Sequence, residues 1–328
     1  MKRKWFFTTT ISIVAVLLLL TGCGQDGSEE VQGSNADDAN GHYKIAMVLK
    51  TLSTEYWHTV IAGAEDAAKE FGVEVEFLGP TQEIQYEEQI KIVEDQIVSG
   101  ANAIIVAPSQ AEAVLPVLNN AHGQDIPVIL ADTDADFEDK STFVGTHNFE
   151  AGKLGGEYLS DKLEAGDKVA IIRGPLGSNT HDDRTKGFQE ALKDRDIEFI
   201  IQDANSDRAK AVNIMENILT ANPDVKYVFA TSDEMALGAI TALENNSEIE
   251  IPVIGFDGTP DGLNAVKNGI MLANVAQNPY MIGYLSVESA YHTLQGKDVE
   301  KRIDSGANVI TQDNVDETIE EINGYLGK

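Results

Sequence analysis

KIAMVLKTLSTEYWHTVIAGAEDAAKEFGVEVEFLG, residues 44–79, opens on a short apolar run, turns through polar residues into a long amphipathic stretch, and closes on a second apolar run. KIAMVLK (44–50) and VEVEFLG (73–79) have the length and composition of strands, and EYWHTVIAGAEDAAKEFG (55–72) reads as a helix between them. The same alternation continues outward. AIIVAP (103–108), PVILAD (127–132) and TFVGT (142–146) complete a first series of strands. KVAIIRG (168–174), IEFIIQD (197–203), YVFATSD (227–233), IPVIGFD (251–257) and LANVAQN (272–278) make a second. YEEQIKIVEDQIVSG (86–100) is a further helix, with Ile90, Val93, Ile97 and Val98 on its apolar face and Gly100 as its C-terminal cap. Strands that alternate with helices imply parallel sheets with right-handed crossovers, covered on both faces. The pattern occurs twice at about the same length, so the expected class is α/β: two doubly wound parallel-sheet domains side by side.

In such sheets a ligand sits beyond the carboxyl ends of the strands. Polar residues stand at those ends: Lys50 after MVL, Asp132 after PVILA, Asp233 after VFATS, Asp257 after PVIGF and Gln277 after ANVA. Two facing rows of such groups would line a cleft between the domains.

Composition limits what that cleft serves. Lys plus Arg total 24 against 54 Asp plus Glu, a net charge of −30. A field of that sign repels phosphate backbones, so no nucleic acid partner is expected. The one cysteine, Cys23, has no partner for an internal disulfide. Lys2, Arg3 and Lys4 precede residues 5–20, a 16-residue uncharged stretch. That is shorter than the ~20 apolar residues a bilayer core requires. A basic start followed by such a run describes a secretory signal peptide. Leu20-Thr21-Gly22-Cys23 resembles a bacterial lipobox, which implies cleavage before Cys23 and acylation of its sulfur. The chain is thus expected outside the cytoplasm, tethered to the cell membrane by lipid. Residues 24–40, GQDGSEEVQGSNADDAN, are polar and acidic, and they read as a flexible spacer.

Signals for catalysis are missing. No G-x-G-x-x-G leads from a strand into a helix, and neither a phosphate-binding G-x-x-x-x-G-K-[ST] nor G-x-S-x-G occurs. No two of the six histidines have metal-ligand spacing. The Gly-rich GKLGGEYL (152–159) lies in a helical run and reads as close packing. No enzyme activity, cofactor or metal is expected.

KIAMVLKTLSTEYW (44–57), NILTANPDV (217–225), FATSDEMALGA (229–239), GFDGTPDG (255–262) and NVAQNP (274–279) together resemble the ribose- and allose-type sugar-binding proteins. These are the substrate-binding components of ABC importers, and the resemblance spans roughly residues 43–312. It implies the type I periplasmic binding protein fold: two lobes, joined by three crossing segments, that close on one sugar and present it to a permease with a cytoplasmic ATPase. Crossings are expected near Thr146–His147, Gln277–Asn278 and Gly306–Ala307. The division that follows is a signal peptide at 1–22 and a lipidated Cys23 with its linker at 23–41. An N-terminal lobe of 42–146 plus 278–306 and a C-terminal lobe of 147–277 plus 307–328 complete it, and a monomer is expected.

Carried over residue by residue, the resemblance puts the sugar-stacking aromatics at Tyr56 and Trp57. It assigns the carboxylate ending the strand before the first crossing to Asp132 and the asparagine after that crossing to Asn148. In GSNTHDDRTKGF (177–188) it makes Arg184 the sugar-binding arginine, with Asp257 as the turn aspartate and Gln277 as the last hydrogen-bonding partner. Asp233 and Glu234 are expected to hold structure or face the transporter. The departures concern specificity. Lys50 stands where ribose binders carry a small polar residue but allose-type binders carry lysine. Thr54-Glu55 replaces Asn-Pro, and Thr133 replaces an arginine, with Asp134 close by. Ala107 and Ser232 replace asparagines, and Ser206 replaces the second stacking aromatic. These favour an allose-like hexose or another polyol over ribose. Gly79-Pro80-Thr81 together with Lys50 also resembles binders of a furanosyl quorum signal. The alternative role is therefore a sensor, of a sugar or of such a signal, for a chemoreceptor or histidine kinase.

Overall fold

The computed structural model describes residues 43–246 and 250–327; the signal peptide, Cys23 and the whole linker expected from the sequence lie outside the described residues. In chain order the first half runs β1 (Lys44–Val48), α1 (Glu55–Phe71), β2 (Glu74–Leu78), α2 (Tyr86–Val98), β3 (Ala103–Val106), α3 (Leu115–His122), β4 (Val128–Ala131) and β5 (Thr142–Gly145). The next part runs α4 (Asn148–Ser160), β6 (Lys168–Arg173), α5 (Asn179–Ala191), β7 (Glu198–Asp203), α6 (Arg208–Ala221) and β8 (Val225–Ala230). It continues through α7 (Asp233–Glu244), β9 (Val253–Asp257), α8 (Pro260–Lys267) and β10 (Ala273–Gln277). The chain finishes with α9 (Pro279–Leu294), β11 (Arg302–Asp304), β12 (Ala307–Ile310) and α10 (Val315–Tyr325).

Two six-stranded sheets result, ordered β11-β5-β4-β3-β1-β2 and β12-β10-β9-β8-β6-β7. Every pair is parallel except β10 with β12. Each is covered on both faces, and the two-residue period of a strand shows directly how. Ile45, Met47 and Leu49 pack with α1 and α9, whereas Ala46 and Val48 pack with α2 and α3. In the second sheet Val169 and Ile171 face α4 and α5, whereas Ala170 and Ile172 face α6, α7 and α8. Two doubly wound α/β lobes are therefore present. The chain passes from the first to the second after β5, returns after β10, and crosses again between β11 and β12.

Close approach of helices fixes where the cleft residues stand. A Cβ on Gly63 of α1 would lie 2.0 Å from the carbonyl oxygen of Tyr280, and one on Gly283 of α9 would lie 1.9 Å from that of Val60. Only glycine permits that contact, and α1 carries Tyr56 and Trp57. The expected packing role of GKLGGEYL also holds: a Cβ on Gly152 would fall 2.2 Å from the Arg184 carbonyl oxygen.

Two readings of the sequence need correction. Val98 does not share the buried face of α2; it is 87% exposed, because it stands about 100° of helix rotation beyond Ile97. Gln89 is buried instead, and its amide donates to Leu49 and Ala107 carbonyls and accepts from the Ser109 N–H. The strands β11 and β12 were not expected at all; each is short and lies at a sheet edge.

Candidate cleft site

A cavity of about 400 Å³ lies between the lobes, walled by the segments that follow β1, β2 and β4 on one side and β6, β7, β8 and β9 on the other. Five non-glycine residues have positive φ among the described residues, and four of them, Asp132, Asn205, Ser206 and Asp257, line this cavity. That backbone region is costly for side-chain-bearing residues and concentrates where a scaffold aims functional groups.

The first lobe contributes an aromatic wall and a buried ion pair. Tyr56 and Trp57 meet edge to face, 5.0 Å between ring centres, and both line the cavity. The Tyr56 hydroxyl donates to Asp132 Oδ1 at 2.6 Å, and Thr133 donates to Oδ2 at 2.9 Å. Lys50 Nζ lies 3.0 Å from Asp132 Oδ2 and 3.5 Å from Glu83 Oε1. Burial disfavours both charges of the Lys50–Asp132 pair, but each is outweighed by its surroundings. The Asp132 pKa is lowered because Lys50, then Arg184, more than offset desolvation. The Lys50 pKa is raised because Asp132, then Glu83, do the same. Burial, then the neighbouring Asp132 charge, pushes Tyr56 well up, so it stays a donor.

The second lobe supplies a guanidinium held flat and a carboxylate held short of full ionisation. Arg184 Nε donates to Asn148 Oδ1 at 2.8 Å. Its Nη1 donates to the Thr231 carbonyl at 2.8 Å and to Asp257 Oδ1 at 3.2 Å. The guanidinium lies 3.9 Å over the Phe256 ring, a cation–π contact that fixes its plane. Gln277 donates to Asp257 Oδ1 at 2.8 Å. Burial pushes the Asp257 pKa up to about 7, although Arg184 pulls it back. Asp233 does not line the cavity. It accepts from the Thr259 N–H and hydroxyl and from Asn274, bracing the turn after β9, and burial with the nearby Asp257 charge raises its pKa too.

Six of the residues singled out in the sequence, Lys50, Tyr56, Trp57, Asp132, Arg184 and Asp257, thus converge on one cavity. Asn148 and Gln277 do not line it; they stand behind Arg184 and Asp257 as hydrogen-bond partners. Sequence reasoning missed Glu83, Thr180 and His181, which also line it, and gave Ser206 only as a lost aromatic. Glu83 follows the quoted Gly79-Pro80-Thr81, and Thr180 and His181 lie inside the quoted stretch 177–188, so extending the strand-end search into those loops would have reached them. Among the described residues no group of three or more His, Cys, Asp and Glu could hold a metal ion.

Residues 45–298 match the family model for the periplasmic binding protein domain. The ribose import binding protein RbsB of Bacillus subtilis is 33% identical over 313 residues, 95% of this chain and 100% of that protein. The D-allose-binding periplasmic protein of Escherichia coli is 35% identical over 252 residues, 73% of this chain and 81% of that one. Among solved structures, an ABC transporter periplasmic solute-binding protein from Actinobacillus succinogenes with bound D-allose superimposes with a TM-score of 0.78 at 30% identity, covering 84% and 99% of the two chains. A carbohydrate transporter solute-binding protein from Agrobacterium radiobacter in complex with D-arabinose gives 0.80 at 30% identity, covering 86% and 98%.

Proposed function

The chain belongs to the periplasmic binding protein family, and from that premise we propose that it captures one monosaccharide, or a polyol of similar size, between its lobes for delivery to an ABC permease. The observation that carries this reading is the convergence of Asp132, Arg184 and Asp257 on a cavity with Tyr56 and Trp57 as one wall. Aromatic faces suit the C–H face of a sugar ring, while hydroxyls need fixed hydrogen-bond partners. Bonds to charged partners are worth about 1.5–3 kcal/mol each. Groups from both lobes contact such a ligand only when the lobes meet, so the ligand selects the closed form.

Asn148 and Gln277 act in this scheme by orienting Arg184 and Asp257. The polar Ser206 opposite the aromatic wall and Lys50 beside Asp132 favour an allose-like hexose or another polyol. The protein binds its ligand without transforming it, outside the cytoplasm, and acylated Cys23 holds it at the membrane beside its permease. Import is preferred to sensing because relatives at 33–36% identity are named as ribose import binding proteins. Calorimetry against pentoses, hexoses, inositols and linear polyols tests the proposal. Micromolar or tighter binding of one of them is expected, and silence across the panel by folded protein removes the sugar reading.

A further inference from the structure

Glu83 stands in the loop between β2 and α2, on the first-lobe wall of the cavity. Its side chain is only 9% exposed, and its Oε1 is buried without a hydrogen-bond partner. That oxygen lies 3.5 Å from Lys50 Nζ in its own lobe and 3.6 Å from His181 Nε2 on α5 of the opposite lobe. Lys50 in turn donates across the same gap to Thr180 Oγ1 at 3.3 Å. The two lobes therefore touch through the protein's own polar groups deep in the cleft.

The hydrogen bonds around His181 indicate where its proton sits. The Gly174 N–H donates to Thr231 Oγ1 at 3.3 Å, and Thr231 Oγ1 is 2.8 Å from His181 Nδ1. Thr231 Oγ1 can accept from Gly174 and donate to Nδ1, and the acceptor-only Glu83 carboxylate beside Nε2 favours that tautomer, with the ring proton on Nε2. Nε2 faces Ser206 Oγ at 3.1 Å and Glu83 Oε1. A neutral imidazole N–H thus faces, at 3.6 Å, the carboxylate oxygen that otherwise lacks a hydrogen-bond donor.

We propose that Glu83 is a closure residue, which ties the first lobe to the second through His181 and so gives the closed form a cross-cleft contact that the ligand does not make. This rests on the two lobes opening and closing about a ligand, but not on which ligand that is. The charges facing the pair are Lys50 on the first lobe and Arg184 on α5. Burial opposes ionisation of Glu83, yet Lys50 and the His181 ring more than offset it and hold the carboxyl below its ordinary range. Burial lowers the His181 pKa, and Glu83 restores only part of the loss. At neutral pH the contact is carboxylate to neutral imidazole.

Hydrogen exchange by mass spectrometry on the ligand-free protein reads closure without a sugar. Glu83→Gln is expected to raise exchange severalfold in the facing segments 79–85 and 177–184 while strands β3 and β8 keep their protection. His181→Gln is expected to do the same from the opposite lobe, and the double variant to be no worse than either single one. Affinity for a bound sugar should fall about tenfold in each single variant, through faster release. Unchanged exchange in both single variants, or additive losses in the double, would overturn the proposal. If Glu83→Gln also deprotects β3 and β8, it has unfolded, and His181→Gln carries the test. Silence of every sugar in calorimetry strikes the ligand reading alone, because exchange is measured without ligand.

Discussion

Asp257 ends β9 with φ of 115°, a conformation that turns its carboxylate between Arg184 and Gln277. Burial leaves its pKa at about 7, while Asp132 is held below its ordinary value and stays ionised throughout the neutral range. Ligand hydroxyls donate to a carboxylate and so favour its charged form, which means that binding expels a proton when Asp257 carries one. Affinity should therefore rise about tenfold from pH 6 to pH 8 and then level off. Asp257→Ala should bind at least tenfold more weakly, show no such slope, and keep the wild-type circular dichroism spectrum. Calorimetry across that range decides, and a flat wild-type profile would show that Asp257 loses no proton on binding. The strand-end residues were legible because an apolar run ending in a lone polar group marks the mouth of a parallel sheet. Glu83 was not, since it stands five residues beyond β2 and is one of 54 acidic residues in the chain. His181 owes its role to a lobe contact that no local pattern announces.

At the scale of elements, the α1–α9 contact deserves a direct test, because it sets the position of the aromatic wall. Gly283→Ala would place a methyl group 1.9 Å from the Val60 carbonyl oxygen, so backbone must move. Overpacking of this kind costs about 1–3 kcal/mol, equivalent to a Tm lower by about 2–10 °C. Ligand affinity should fall with it, since α1 carries Tyr56 and Trp57; scanning calorimetry with and without ligand separates the two effects. An unchanged Tm would mean that the helices are free to separate. The ten strands foreseen are the more apolar ones, and the central members are continuous apolar runs because both faces are covered. The strands β11 and β12, of three and four residues, carry exposed polar side chains and gave no such signal. Helix α2 shows the opposite limit, where Gln89 takes a core place because three backbone groups there need partners.

Across the whole molecule, a net charge of −30 makes the folded body repel itself. The exposed acidic groups are screened at about 150 mM salt, where the Debye length is about 8 Å, whereas the buried Lys50–Asp132 and Arg184–Asp257 pairs are screened far less. Raising salt from about 10 mM to that level should therefore raise Tm while leaving ligand affinity within about twofold. A Tm that falls with salt would show that surface ion pairs outweigh the repulsion. The first sheet takes its edge strand from Arg302–Asp304 and one of its covering helices from Pro279–Leu294, whereas β6 to β10 form an unbroken stretch of chain in the second. During synthesis the half that leaves the ribosome first must wait for the final segments before it can seal its core. The later half lacks only β12 and α10 by then, so the two lobes seal almost together, the first with β11 and the second with α10.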